Sequence, residues 1–491
     1  MLLDHDACTR ALEAKDPRFD GVFFVGIRST GIYCRPICPA RATLRKHRRF
    51  FSSAGAAERS GFRPCLRCRP ELAPGSARVD AVPQLAQSAA RRIAAGALNG
   101  HTVDSLATSL GVGERQLRRA MEEELGVSPV ELAQTHRLLL AKQLLTDTAL
   151  PVNQVAYASG FQSVRRFNAL FIDRYRLNPG ALRKSRVARQ SMLNADVRSD
   201  LVVLALGYRP PLDFDAMLSF LAARAAPCTE HVADGTYSRS LRIGEHLGVV
   251  SVSRPRGDAR AARHSVLHLS VSCSLLPVLL EVVAGVRRLF DLDAEPESIA
   301  SHLADTGFHI AEGARGLRVP GAMDSFELAV RAILGQQVSV KGASTLMTRF
   351  TELFGDPVST DNPALTRLPA TPDRVAEASI ARIAAIGLPQ ARANTIHALA
   401  RAVASGSLRI GPEADVGVLT RDLLAIPGIG PWTAEYVLMR AVHWPDAFPA
   451  SDLVLRRAAG GLSAAQLIRC AERWRPWRAY AAMHLWRRPV S

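Results

Sequence analysis

Four cysteines constrain this chain more than any other feature. Cys34 and Cys38 are separated by three residues, Cys65 and Cys68 by two, and 26 residues lie between the pairs. In a reducing compartment, two close pairs of this kind hold a tetrahedral zinc ion far more often than they form disulfides. The opening residues, Met1-Leu2-Leu3-Asp4-His5-Asp6, carry acids where a secretion signal would carry bases, and no apolar core follows them. The most apolar stretch, Leu275 to Val286, is interrupted by Pro277 and Glu281, so no membrane span is expected. These features predict a cytoplasmic protein in which Cys34, Cys38, Cys65 and Cys68 share one zinc ion.

Charge separates the chain into two parts. Net charge is +17 over 491 residues, which favours a polyanionic partner. Residues 1–190 hold 30 Lys and Arg against 16 Asp and Glu, whereas the remaining 301 residues hold 32 against 29. The first two-fifths is built to hold nucleic acid, and the rest is nearly neutral. Apolar residues at 48% and charged residues at 22% exclude a largely disordered chain, and this length exceeds what one core serves.

Periodicity and punctuation predict a multidomain α+β protein with boundaries at 1–76, 77–190, 200–310 and 311–491. The first region is compact and rich in Arg and Cys, and the second reads as helical. Residues 187–199 lack periodicity and read as a linker. Strand-like segments follow at Leu241 to Glu245, Gly248 to Ser253 and His264 to Ser272. From about Pro320 helical periods dominate. The second region contains a repeat: Leu106-Ala107 precedes Gly111 as Val155-Ala156 precedes Gly160. A small residue four positions before a glycine suits two helices crossing tightly through a turn, the requirement of a helix-turn-helix.

Near the C-terminus, Leu424-Ala425-Ile426-Pro427-Gly428-Ile429-Gly430-Pro431-Trp432 is a helix-hairpin-helix signature. Gly428 and Gly430 allow backbone N–H groups to approach a DNA phosphate, and the following helix presents its positive end. Asp452 lies downstream, in Phe448-Pro449-Ala450-Ser451-Asp452-Leu453.

Three family resemblances follow from these motifs. Ser29-Thr30-Gly31-Ile32-Tyr33-Cys34-Arg35-Pro36-Ile37-Cys38-Pro39 and Arg63-Pro64-Cys65-Leu66-Arg67-Cys68-Arg69-Pro70 resemble the zinc domain of Ada-type alkylation-repair proteins. The resemblance implies methyl transfer from a DNA methylphosphotriester to zinc-bound Cys34, with Arg41 and Arg63 at contact positions of the family. Arg35, Arg45, Lys46, Arg48 and Arg49 are further candidates for phosphate contacts. Loss of one thiolate charge on methylation should raise DNA affinity, which makes the alkylated protein a sensor.

Residues 77–190 resemble the paired helix-turn-helix module of AraC-type regulators. That likeness places Arg115, Gln116, Arg118 and Arg119 in one recognition helix and Gln162, Ser163, Arg165 and Arg166 in the other, facing promoter DNA.

Residues 201–491 resemble the AlkA-type 3-methyladenine glycosylases of the helix-hairpin-helix superfamily. Supporting segments include Phe220-Leu221-Ala222-Ala223-Arg224 and Ala332-Ile333-Leu334-Gly335-Gln336-Gln337-Val338-Ser339. The likeness implies an antiparallel α+β domain followed by an all-α glycosylase domain. It makes Asp452 the carboxylate that stabilises oxocarbenium character, and helix capping is the ordinary alternative for that residue. Trp432, Tyr436 and Trp486 fall at base-pocket positions, where electron-rich rings favour a flipped cationic base. Bifunctional relatives place a Schiff-base lysine where Trp432 stands, so a monofunctional hydrolase is expected. At the duplex-wedge position the chain carries Gln337 rather than an apolar residue.

Cys228, Cys273 and Cys470 lie outside any Pro-Cys-His-Arg motif, so reversal of O6-alkylguanine is not expected. The expected partners are alkylated double-stranded DNA, promoter DNA and RNA polymerase, and a monomer is expected. The competing reading is a methylation-responsive regulator whose C-terminal half binds DNA without catalysis.

Overall fold

Strand β1 (Phe24–Ile27) is buried along its whole length, as a central strand must be. It pairs antiparallel with β2 (Ile32–Cys34) and with β3 (Arg48–Phe51). Strand β2 also pairs parallel with the short β4 (Arg63–Pro64), giving the order β3-β1-β2-β4. Helix α1 (His5–Ala14) is capped by Asp4, and α2 (Ala54–Arg59) is capped by Ser53. The computed structural model describes residues 4–40, 44–75, 84–183, 200–255 and 265–488. The expected linker at 187–199 and the candidate contact Arg41 lie outside the described residues. The chain forms two compact units, residues 1–209 with 255–284 and residues 210–254 with 285–491.

Helices that follow the sheet in the first unit include α3 (Gln84–Ala94), α4 (Val103–Ser109), α5 (Glu114–Leu125), α6 (Pro129–Asp147), α7 (Val152–Ala158) and α8 (Val164–Tyr175). Pairs α4–α5 and α7–α8 are the two helix-turn-helix motifs, and the sequence repeat is the repeat of the fold. Ala107 and Ala156 are both fully buried where the helices cross. Gly111 and Gly160 sit at φ +72° and +88° in the turns. A Cβ at Gly160 would also lie 2.5 Å from Asn99 Oδ1, so both conformation and space demand glycine there. Helix α6 joins the motifs and starts with a capping box of Ser128 and Glu131 around Pro129.

Buried charge ties the sheet to these helices. The Lys142 ammonium on α6, 1% exposed, donates to Glu71 and to the carbonyl of Cys65 at 3.3 Å. Arg69 bridges Glu71 at 3.0 Å and Asp147 at 2.7 Å. The Glu58 carboxylate on α2 accepts from Tyr33 Oη (3.0 Å), Thr135 Oγ1 (2.9 Å) and Arg174 Nη1 (3.3 Å). Helices α2, α6 and α8 therefore meet at one side chain. The first unit also contains β5 (Leu201–Gly207), paired antiparallel with β9 (Val266–Ser272).

The second unit contains the antiparallel meander β6 (Glu230–Ala233), β7 (Thr236–Ile243) and β8 (His246–Ser253). Two of the expected strands coincide closely with β8 and β9. The expected segment Leu241–Glu245 is the end of β7 and the turn after it. Strands β5 and β6 do not alternate clearly in sequence. Among the described residues no strand follows Ser272, and Pro357 and Arg367 form only an isolated bridge. The helices that build the site are α9 (Ser325–Leu334), α10 (Val340–Phe354), α11 (Gln390–Ala404), α12 (Val416–Leu424), α13 (Pro431–Arg440), α14 (Leu453–Ala458) and α15 (Arg478–Trp486). Helix α9 packs on α11 and α13, α12 on α13, and α14 on α15. One apolar core containing Ile333, Ile396, Leu423, Val437, Leu455 and Ala481 holds them together.

Burial holds the Glu58 carboxyl at about 7 against an ordinary 4.5, despite the opposing pull of Arg174, Thr135 and Tyr33. The folded protein therefore keeps a proton that the unfolded chain releases. That contribution to stability is complete below about pH 4.5 and is lost as pH rises through about 7. Relative to Glu58→Gln, the wild type should lose on the order of 2–3 kcal/mol of unfolding free energy between pH 5 and pH 8. Denaturant titrations of both proteins check this, and a difference constant with pH would refute it.

Candidate functional site

The β2–β4 pairing sets Ile32 against Arg63 and Tyr33 against Pro64, so the two cysteine pairs converge. The Cys65 N–H donates to the Tyr33 carbonyl at 3.0 Å. The four sulfurs of Cys34, Cys38, Cys65 and Cys68 all lie within 4.8 Å of one another, and all four residues are buried. Four thiolates this close repel strongly without a cation, and an all-sulfur tetrahedral set is the donor set zinc prefers. These residues fit a zinc ion.

The four sulfurs differ in their surroundings. Cys68 Sγ accepts the Arg35 N–H at 3.3 Å, and Cys65 Sγ accepts the Arg67 N–H at 3.4 Å. Cys38 accepts a backbone hydrogen bond from Ala40. Among the described residues, none donates a backbone hydrogen bond to Cys34. Hydrogen bonds to a thiolate withdraw electron density from it, so the Cys65 and Cys68 sulfurs are the more damped of the set.

The expected basic contacts divide. Arg35 is buried, with its guanidinium paired to Asp20 and donating to the Cys68 carbonyl at 3.1 Å. It is therefore part of the metal centre's support and is not available to DNA. Arg48 is also buried and pairs with Glu13. Lys46 and Arg49 are exposed, and Arg63 is half-buried.

On the helix-turn-helix motifs, Arg115, Gln116 and Arg119 of α5 are exposed, as are Gln162 before α8 and Arg165 and Arg166 within it. Arg118 is half-buried and pairs with Glu114. Residues Leu117 and Phe167 on the opposite faces are fully buried, so both helices turn a polar face outward.

In the second unit, Asp452 performs two tasks at once. Its Oδ1 accepts the Leu455 N–H at 2.9 Å and caps α14. The same oxygen accepts Trp486 Nε1 at 3.1 Å, and Oδ2 accepts Trp432 Nε1 at 3.0 Å. The capping reading and the pocket reading are thus one arrangement, in which both oxygens are held by N–H donors. Trp432 stacks on Tyr436 with centroids 5.3 Å apart and planes 13° apart, and Trp486 meets Tyr436 edge-on at 6.4 Å. Burial raises the Tyr436 phenol, but the guanidinium groups of Arg440, Arg224 and Arg331 outweigh it and bring it below its ordinary value. Arg440 Nη1 donates to the phenol oxygen at 2.8 Å.

The hairpin and the turn that carries Gln337 are linked. Gly428 has φ +90°, and a Cβ there would meet Thr395 Oγ1 at 2.1 Å. Thr395 in turn donates to the Pro427 carbonyl at 2.9 Å. Gly430 is the N-cap of α13, with Pro431 in its first turn. Gln337, exposed and at φ +56°, stands in the turn between α9 and α10. Its neighbour Gln336 donates to the Gly428 carbonyl at 3.0 Å and to Thr433 Oγ1 at 2.9 Å, while Arg392 Nη2 donates to the Gln336 carbonyl at 2.9 Å. Sequence reasoning assigned no role to Gln336, Glu435 or Lys142, although Gln336 lies in the segment Ala332 to Ser339 that carries the family likeness.

A four-thiol centre with two helix-turn-helix motifs, and a hairpin with an indole-clamped aspartate, define a regulator joined to a base-excision enzyme. Family models match accordingly: the metal binding domain of Ada at residues 7–71, a helix-turn-helix domain at 106–185, the AlkA N-terminal domain at 203–324, and the HhH-GPD superfamily of base excision DNA repair proteins at 330–468. The probable bifunctional transcriptional activator/DNA repair enzyme AlkA of Mycobacterium tuberculosis is 41% identical over 98% of this chain and 96% of its own length. The chain belongs to that family of bifunctional activator and repair proteins. DNA-3-methyladenine glycosylase 2 of Escherichia coli is 42% identical over 57% of this chain and 95% of its own. The activator/repair enzyme Ada of the same organism is 32% identical over 28% of this chain and 37% of its own.

Purified protein should contain one zinc ion per chain by atomic emission. Cys68→Ser should lose most of it and Cys228→Ser should keep it. Full zinc retention in Cys68→Ser would remove that residue from the ligand set.

Proposed function

We propose that this chain removes alkylated purines of the 3-methyladenine type from DNA and records alkylation of the DNA backbone on Cys34. The observation that carries the excision reading is the clamp on Asp452. A purine alkylated on a ring nitrogen is cationic and leaves readily, so the enzyme needs an anion beside the sugar more than a strong acid. Two indole N–H groups and the Leu455 N–H at the start of α14 hold that carboxylate in one orientation. Half-buried Trp432 and Trp486 offer their rings to the flipped base, and buried Tyr436 backs Trp432 by stacking on it. Asp452 stabilises the developing oxocarbenium ion, water adds to the sugar carbon, and the glycosidic electron pair leaves with the base. Gly428, Gly430 and the start of α13 hold a phosphate, and Gln337 enters the duplex. Trp432 has no amine with which to form an imine, so the product is an abasic site.

For the sensor, Cys34 sulfur attacks the methyl carbon of a methylphosphotriester, the C–O bond breaks, and the phosphodiester leaves as an anion. Bound zinc would keep the four cysteines deprotonated at neutral pH. Cys38, Cys65 and Cys68, each holding a backbone N–H, are the spectator sulfurs. Methylation removes one negative charge facing DNA phosphates, which favours promoter binding through Arg63, Arg115, Gln116, Gln162, Arg165 and Arg166, with Arg41 as a further contact. RNA polymerase is the proposed partner for activation. The modules serving these steps are residues 1–76, 77–190, 200–310 and 311–491.

Asp452→Asn should slow release of 3-methyladenine from methylated duplex at least about 100-fold, and release at the wild-type rate would remove Asp452 from the mechanism. Borohydride treatment during turnover should trap no covalent protein–DNA complex. Cys34→Ala should take up no methyl group from methylphosphotriester DNA by mass spectrometry, and uptake in that variant would move the acceptor elsewhere.

A further inference from the structure

Asp452 ends a short strap, Phe448-Pro449-Ala450-Ser451-Asp452, that brings the chain from α13 to α14. Phe448, Pro449 and Ala450 are buried, so the backbone of the strap has little access to water and needs partners within the protein. Inside the strap, Ala450 N–H donates to the Phe448 carbonyl and Asp452 N–H to the Pro449 carbonyl, both at 2.8 Å. The strap's first N–H, that of Phe448, is taken by Glu435 Oε2 at 2.8 Å. Glu435 lies on α13 three residues after Trp432, whose indole grips the other end of the strap at Asp452. One helix turn thus fixes both ends of a five-residue segment.

We propose that Glu435 is a positioning residue for Asp452, acting through its hydrogen bond to Phe448 N–H. Without that acceptor the strap's entry is free to shift, and the aspartate at its exit moves relative to the sugar. Displacements of this kind reduce the chemical step more than they reduce binding. Burial supports the assignment, because a half-buried carboxylate is retained only where it has a partner. Upstream, Asp446 is held separately by Arg475 at 2.6 Å and Arg478 at 2.7 Å. The Phe448 ring also meets Trp474 edge-on with centroids 5.9 Å apart, and Glu435 is the polar contact at the strap's entry.

The inference rests on the proposed role of Asp452, and full-length Glu435→Ala, Glu435→Gln and Asp452→Asn separate the two. The readouts are the single-turnover rate of base release from methylated duplex and the affinity for a duplex bearing a tetrahydrofuran abasic analogue. Glu435→Ala should lower the rate about tenfold with affinity unchanged within about twofold. Glu435→Gln, whose amide carbonyl can accept the same N–H, should stay within about threefold of wild type. A wild-type rate in Glu435→Ala, a Gln variant as slow as the Ala variant, or affinity falling in step with rate would each overturn the inference. If Asp452→Asn retains full activity, the reading of Asp452 fails and this one with it. If Asp452→Asn is inactive while Glu435→Ala is unimpaired, only the role of Glu435 falls.

Discussion

Charge taken out of water has to be answered locally, and both units of this protein are organised by the answers. In the first, Lys142 meets Glu71 and Arg69 meets Asp147, so the loop bearing Cys65 and Cys68 is clamped to α6. A buried pair of this kind adds modest net stability, yet removing one partner typically costs about 3–5 kcal/mol. Such contacts therefore define geometry more than they supply free energy. Arg35 follows the same logic: Asp20 neutralises its guanidinium while its own N–H rests on Cys68 Sγ. The four-cysteine site is held from outside by groups that bond to its backbone and sulfurs and are not themselves among its four ligand side chains.

In the second unit the same constraint operates on a single carboxylate. Asp452 is half-buried, yet its charge is distributed over three N–H donors. Those donors come from α13, α14 and α15, three helices sharing one apolar core. Orientation of the carboxylate thus depends on the packing of the whole helical layer. Arg440 both donates to the Tyr436 phenol oxygen and lies 5.7 Å from its ring centroid, while Trp432 stacks on the ring.

How far the sequence could reveal this depends on how local each signal is. The cysteine quartet was legible because metal ligands come in close pairs, and the helix-turn-helix repeat because Ala107 and Ala156 must be small where helices cross. Gly428, Trp432 and Asp452 were legible by family likeness. The donation of both indoles to Asp452 was not, since spacing says nothing about which edge of a ring faces a neighbour. Arg35 looked like a free cation because Asp20 is 15 positions away, and Lys142 is 71 positions from Glu71. Strand β5 was missed because Leu-Val-Val-Leu-Ala-Leu-Gly is an unbroken apolar run with no period of two. Glu435 carries no spacing signal, because the backbone donor that its oxygen closes lies 13 residues downstream.

The amide of Gln336 has a wider implication. By grasping both the Gly428 carbonyl and Thr433, it couples the turn that carries Gln337 to the glycine hairpin. The two backbone segments are then geared to one another, so a shift of either is passed to the other. The side chain at 337 can change its chemistry without disturbing that gearing, because its own atoms are outside it. With the roles proposed for Gln337 and Gly428, insertion into a duplex and hold on its backbone would be set at adjacent residues of one tight bend.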